Sequence, residues 1–263
     1  MRIFKDNKEI TKQIQRLDND IYYMDYLVGD YLYFASDFPF NHLYFKIGDA
    51  NGIAATMKLE YYTTSWTECV ELRDETNSFV TSGYVEFTPN RNFGWAQTVD
   101  SSQAGVSTVV YNKYWTRISF NVDLTAEIQL SFIGNKFSED EDLFSEFPIF
   151  NDSNFLSAFQ VGKISWEEQH IKAAELIIQD LQKKAVIIGA EQILDKRKFL
   201  GASVCKVAEI IYSAFGNDYL EQRKIAKEEY SKRLDLSQYN VDLNGSGNLE
   251  PMEIQARTNW LSR

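Results

Sequence analysis

The sequence predicts an α+β chain: an N-terminal antiparallel β-sandwich or jelly-roll-like domain, a small antiparallel helical bundle, and a C-terminal arm. Three observations predict it. Residues 21–137 are dense in aromatic and β-branched side chains that alternate in polarity and break at turn clusters. Residues 156–235 instead carry apolar side chains at three- and four-residue spacing, interrupted by glycine. Between them, residues 138–155 hold six acids and no base, the composition of a connection. At 263 residues, 44% of them apolar, the chain can supply two domains with separate cores.

Taken in order, residues 1–20 predict one short amphipathic helix, with Ile10, Ile14 and Leu17 on a shared face and Asp18-Asn19-Asp20 as its stop. In the 21–137 domain, Thr56–Tyr62 sets Met57, Leu59 and Tyr61 on one side of a strand. Tyr84–Phe87 ends at a Thr88-Pro89-Asn90 turn. Tyr114–Val122 sets Trp115, Arg117 and Ser119 against Tyr114, Thr116, Ile118, Phe120 and Val122, and Ile128, Leu130 and Phe132 alternate before Gly134-Asn135. Short strands separated by turns favour a sandwich over a parallel sheet. The stretch 138–155 reads as a solvated linker whose phenylalanines pin it to a domain. In the bundle, Ser165-Trp166-Glu167-Glu168 has capping-box form. Ile171, Ala174, Ile178, Leu181 and Ala185 follow as one stripe, with Gly189 as the expected stop. A second helix from about Lys196 carries Leu200, Val204, Val207, Ile211 and Ala214 and stops at Gly216. A third opens at Asp218–Glu221, with a narrower stripe of Ala226, Tyr230 and Leu234. Short connections make these an antiparallel bundle. Residues 236–263 form the arm.

Charge and cysteine content exclude whole classes of function. Residues 1–137 carry 12 bases and 17 acids (−5), residues 156–235 carry 13 and 12 (+1), and 236–263 carry 2 and 3 (−1), so with the −6 connection the total is −11. No basic face of the kind that binds phosphate backbones emerges, and nucleic-acid binding as the main activity is rejected. The N-terminus is charged from Arg2 and lacks the apolar core of a signal peptide, and no apolar run approaches a membrane span. Cys69 and Cys205 fall in different domains and read as reduced core thiols, as expected for synthesis in a reducing cytoplasm.

Chemistry-bearing residues are few. The two histidines are His42, after Pro39-Phe40-Asn41, and His170, one helical turn past Glu167; the latter reads as a surface pair. Neither a nucleophile elbow nor a phosphate-binding loop nor a paired-cysteine motif occurs, and no enzymatic activity is expected. Residues Asp242–Glu253 (DLNGSGNLEPME) fit the twelve-residue calcium loop of EF-hands. Asp242, Asn244, Ser246, the Asn248 carbonyl and a bidentate Glu253 would supply oxygen ligands, and Gly247 sits at the sharp turn. A glycine–asparagine turn before a final short helix fits the same residues, so no cofactor is required and Ca2+ is one of two readings. In the tail, Arg257, Trp260, Leu261 and Arg263 have the composition of interface anchors, or fold back on the bundle. Trp66, Trp95 and Trp115 either fill the sandwich core or stack on a glycan, the alternative function.

One resemblance adds to this. Trp166–Glu175 (WEEQHIKAAE), Ala208–Asp218 (AEIIYSAFGND) and the charged helix ending at Tyr230 resemble the small helical adaptor proteins, also called head-completion or neck proteins, of tailed bacteriophages. Tyr33–His42 and Glu60-Tyr61-Tyr62 with Trp66 resemble an added β domain of phage virion proteins. The helical resemblance spans about residues 160–235. It implies a structural head–tail connector in the virion neck: a dodecameric ring docked on the portal protein and joined to tail proteins, with DNA passing through unbound. In that family a C-terminal arm reaches the portal, which would place Arg257, Trp260, Leu261 and Arg263 at the contact. The large β domain and the EF-hand-like loop depart from the minimal adaptor pattern.

Overall fold

The computed structural model of the chain describes residues 1–15, 17, 22–88, 95, 97–237, 241–250 and 253. The chain is α+β, with two compact units: Met1–Gly134 with Gly245–Gly247, and Asn135–Asn244 with Asn248–Arg263.

The first unit is two antiparallel sheets. One has the order β2 (Lys8–Glu9), β1 (Arg2–Lys5), β4 (Leu32–Ser36), β11 (Tyr111–Phe120), β6 (Met57–Tyr62), β7 (Trp66–Glu68), and β10 (Thr98–Asp100) pairs with the start of β11. The other runs β3 (Tyr22–Met24), β12 (Ile128–Gly134), β5 (His42–Ile47), β9 (Gly83–Thr88), β8 (Glu71–Asp74). Leu32, Phe34, Met57, Leu59, Tyr61, Ile118 and Phe120 from the first sheet pack with Leu43, Phe45, Val85, Phe87, Ile128 and Leu130 from the second. Phe34 and Phe45 meet edge-on across that core at 6.2 Å. The alternation expected of β6 and β12 is present, with a register shift between Leu130 and Phe132 that buries both Phe132 and Ile133.

The first sheet is covered on its other face too. Ala104, Val106 and Val110 lie over Phe4, Tyr33, Ala35 and Trp115. This is why β4 is buried at all five positions and why Trp115 and Thr116, neighbours on opposite faces of β11, are both enclosed. The single helix expected over 1–20 is not formed. Residues 2–9 pair as the β1–β2 hairpin, and among the described residues of this stretch only Thr11–Ile14 (α1) makes a helical turn, with Ile10 and Ile14 buried in the sandwich core; Asp18-Asn19-Asp20 lie outside the described residues. The apolar spacing is satisfied by docking, since so short a helix has no stability of its own.

The second unit is helical and begins earlier than the expected bundle. Residues 138–155 are not a solvated linker. They form α2 (Asp140–Glu146) and enter α3 (Ser153–Phe159), with Leu143, Phe150, Phe155 and Leu156 in a core cluster. Glu139, Glu141, Glu146 and Asp152 are exposed while Asp140 turns inward and Phe150 and Phe155 are buried, and the acids at the start of α2 favour its N-terminus. Then come α4 (Glu167–Lys183), α5 (Leu200–Ala214) and α6 (Leu220–Ser237). Helix α5 is central: Cys205 and Ala202 face one cluster, Val204, Val207, Ala208 and Ile211 the other. Leu200 and Ala214, expected in its stripe, are exposed. Helix α4 ends before Gly189. Ala185 takes the left-handed conformation at φ +55°, its amide donates to the Gln182 carbonyl at 2.9 Å and that of Val186 to Leu181 at 3.0 Å. That is a Schellman closure, with alanine where glycine is usual. On α6, Ala226, Tyr230 and Leu234 are the buried stripe, as expected.

Replacing Phe34 by Ala should remove the ring that joins the sheets and destabilise the chain by about 3–5 kcal/mol. Equilibrium urea unfolding checks it: a change under about 1 kcal/mol would mean the sheets are held elsewhere.

Candidate functional site

Three groupings of chemistry-bearing side chains stand out: a buried polar set in the helical unit, an arginine–aromatic stack in the β unit, and the loop 242–253.

His170 is wholly buried, which overturns its reading as an exposed surface pair with Glu167. Its Nδ1 lies 2.7 Å from Ser138 Oγ and its Nε2 lies 3.2 Å from Asp140 Oδ1. Ser138 Oγ is also 2.7 Å from Ser203 Oγ. Asp140 accepts the Trp166 backbone amide with both oxygens, at 3.0 and 3.2 Å. The expected Ser165 capping box is not formed: Trp166 is the N-cap of α4 and its amide is taken by Asp140, while Ser165 Oγ accepts the Glu167 amide at 3.0 Å in a turn just before the helix. Burial pushes the Asp140 carboxyl up, but hydrogen bonds from His170, Ser165 and the Trp166 amide outweigh it and hold the group below its ordinary range. A serine, histidine and aspartate in contact are the parts of a nucleophile-activating set. Here the Ser138 hydroxyl is enclosed by Ser203 and His170, so what the set does is tie α2, α4 and α5 together. His170 was visible in the sequence, but Ser138, Asp140 and Ser203 were not, because the 32 and 65 residues separating Ser138 from His170 and Ser203 carry no local signal.

In the β unit the three tryptophans do not form a stacking platform. Trp115 is fully buried and donates its indole N–H to Thr98 Oγ1 at 2.9 Å; half-buried Trp95 donates to the Trp115 carbonyl at 3.1 Å. Arg117 lies against two rings, with its guanidinium 4.4 Å from the centre of Trp66 and 4.0 Å from that of Tyr31. Arg117 Nε donates to Glu60 at 2.7 Å. Burial raises the Glu60 carboxyl, and Arg117 and Lys58 more than reverse that. His42 is buried, its Nδ1 2.7 Å from Asn41 Oδ1. Both cysteines are free and buried, and burial first of all pushes each thiol up to about 12, which makes them poor nucleophiles.

The loop begins at Asp242, whose side chain is enclosed. Its amide donates to the Gln192 carbonyl at 2.8 Å, and Gln192 Nε2 donates to the Asp242 carbonyl at 2.7 Å. Gly245 and Gly247 take left-handed φ values of +72° and +78°. Glu253 is buried, with one oxygen accepting the Leu243 and Asn244 amides at 2.9 and 3.2 Å and the other the Glu250 amide at 2.8 Å. Asn244 and Ser246 are the more open positions and Asn248 is half-buried. Among the described residues no three His, Cys, Asp or Glu side chains converge as a metal site, so any ion here would rely on neutral oxygens as well. Arg257, Trp260, Leu261 and Arg263 lie outside the described residues. No protein-family profile, curated protein or solved structure matches the chain.

Surface residues that sequence periodicity passed over complete the picture. Val161 and Ile164 are 92% and 91% exposed, and Ile188 is 77% exposed. Between the first two, the Lys163 side chain is only 6% exposed, folded over Phe159 and Trp166 at 5.5 and 5.4 Å and within 3.8 Å of Glu168. With Gly162 at φ +79°, this turn has its charge tucked in and its aliphatics out.

Asp140→Asn should cost about 1–3 kcal/mol near neutral pH by weakening the charge-assisted bonds to His170 and Trp166. Since the folded Asp140 pKa lies below its ordinary 3.8, its contribution is complete above that value and is lost as pH falls through the folded one. Urea unfolding should therefore show the gap between wild type and variant narrowing as pH falls below about 4. A gap that widens with acid would refute the assignment.

Proposed function

We propose that the chain is a structural virion assembly protein, a head–tail connector that forms a ring on a portal-type protein and joins it to the tail. One observation carries the reading: large aliphatics stand in solvent at opposite ends of the same helix. Val161 and Ile164 precede α4 and Ile188 follows it, and 17 residues of helix hold them apart by about 25 Å. Val161 and Ile164, each more than nine-tenths exposed, are the most exposed large hydrophobics among the described residues and suit a surface covered on assembly. A connector needs two such docking ends on one rigid body, whereas an enzyme or a single-ligand module needs one concave site. The adaptor-like run lies on these same helices, and Lys163, held inward on two rings, preorganises the turn. No described helix is long and apolar enough to cross a membrane. The virion neck is the location this function entails, with the portal contact on the C-terminal arm.

Light scattering after size exclusion, on the chain alone and mixed with co-expressed portal and tail-neck proteins, tests the proposal. A ring-sized complex with a portal-type partner is expected, and a chain that stays monomeric with all of them would sink it. Val161→Asp with Ile164→Asp should lower affinity for one neighbour at least tenfold, and Ile188→Asp for another. Both variants should keep their unfolding midpoint, since exposed substitutions shift stability by no more than about 0.5 kcal/mol.

A further inference from the structure

We propose that the loop Asp242–Glu253 takes up one calcium ion, with side-chain oxygens of Asp242, Asn244, Ser246 and Glu253 and the Asn248 carbonyl as donors. This is independent of the adaptor reading. The donors are all oxygen, with neither cysteine nor histidine in the loop, which selects a hard cation over zinc or copper. Three of the five are neutral, and a flexible, mixed set of that kind suits Ca2+ better than Mg2+, which demands strict octahedral geometry.

The fold supplies what the ligand pattern lacks. An EF-hand loop is normally launched from an entering helix, and α6 ends at Ser237, before the loop. In its place, two hydrogen bonds between Gln192 and the Asp242 backbone fix the first ligand, and buried Val241 anchors the residue before it. Gly247 takes φ +78° at the sixth position, where the loop must turn sharply. Asp242 at the first position and Glu253 at the twelfth are both buried, so the two charged donors of the pattern are held in place at the two ends of the loop. Glu253 is turned back over the amides of Leu243 and Asn244, so the last ligand already lies beside the first. Coordinating an ion requires the Glu253 carboxylate to exchange amide contacts for metal contacts. Two carboxylates are few, which places the dissociation constant at about 10⁻⁴–10⁻³ M, the weak end for such loops.

Isothermal titration of the chelator-stripped full chain with Ca2+ tests this, with Tb3+ luminescence excited through the protein's aromatic residues as a second readout. One saturable site is expected, with Ca2+ displacing Tb3+ and Mg2+ at equal concentration displacing it far less. Asp242→Asn and Glu253→Gln should each weaken binding at least tenfold. Should either variant misfold, Asn244→Ala with Ser246→Ala removes two donors from the same site and leaves the core untouched. No saturable Ca2+ binding at millimolar concentration, or binding unchanged in the Asn244/Ser246 variant, overturns the site.

Discussion

Asp140 receives the Trp166 amide and the His170 ring at once, and the helical unit is organised around that junction. The carboxylate stands at the first residue of α2 and closes the N-terminus of α4, where an unpaired amide would otherwise be buried beside an enclosed tryptophan. Through His170 and Ser138 the same contact reaches Ser203 on the central helix, so three helices are registered by side chains enclosed in the interior. Removing one partner from such a network strands the others, which gives it more authority over the fold than its few bonds suggest. The β unit meets the same constraint differently. Arg117 lies on a sheet face lined by aromatics, and Tyr31, Trp66 and Glu60 together take up its charge and its planar surface.

The parts of the fold legible in the sequence are those decided by neighbours along the chain. Met57, Leu59 and Tyr61 alternate because β6 has one face on the core, and Ala226, Tyr230 and Leu234 line up because α6 touches the bundle along one edge. Where a second layer covers an element, the pattern blurs: on β11 the lid of Ala104, Val106 and Val110 encloses Trp115 as fully as the core encloses Ile118. The 138–155 stretch misleads for a related reason. Its six acids dominate composition, but the decisive side chains are Leu143, Phe150 and Phe155, and their burial depends on helices that come later. The end of α4 is concealed because Ala185 does a job that glycine or asparagine usually announces.

Of the candidate sites, the calcium-type pattern was the most legible, because its donors lie close together in sequence. What the pattern leaves out is the non-local support: Gln192, 50 residues before Asp242, has no motif of its own. The exposed ends of α4 were the least legible. A sequence of Val, Gly, Lys and Ile gives no hint that the lysine lies against Phe159 and Trp166 while the aliphatics face water. Lysine can do this because its four-carbon stem is apolar and its ammonium attracts the ring face, so the turn loses little by hiding its charge.

Helix α6 shows how a nearly all-polar helix is held without a broad apolar face. Among the described side chains three are buried, a narrow seam against the bundle, and polar contacts at the margins supplement it. Tyr230 donates to Asp180 of α4 at 2.7 Å, and Lys206 of α5 lies 4.1 Å from the same ring. Arg233 bonds Glu146 of α2 at 2.7 Å and the Gly201 carbonyl at 3.3 Å, while Lys184, just past α4, reaches Asp235 at 2.7 Å. These bonds run to three other helices, so they set the angle and register of α6, something a three-residue seam does poorly by packing alone. The exposed pairs among them contribute little energy one by one, being open to water and salt, but the half-buried Tyr230 and Arg233 contacts are screened less. The outer face of α6 is thereby left mostly to lysine and glutamate, with Ile225 exposed among them. The most exposed aliphatics of the helical unit, Val161, Ile164 and Ile188, stand instead at the ends of α4, where a partner could cover them.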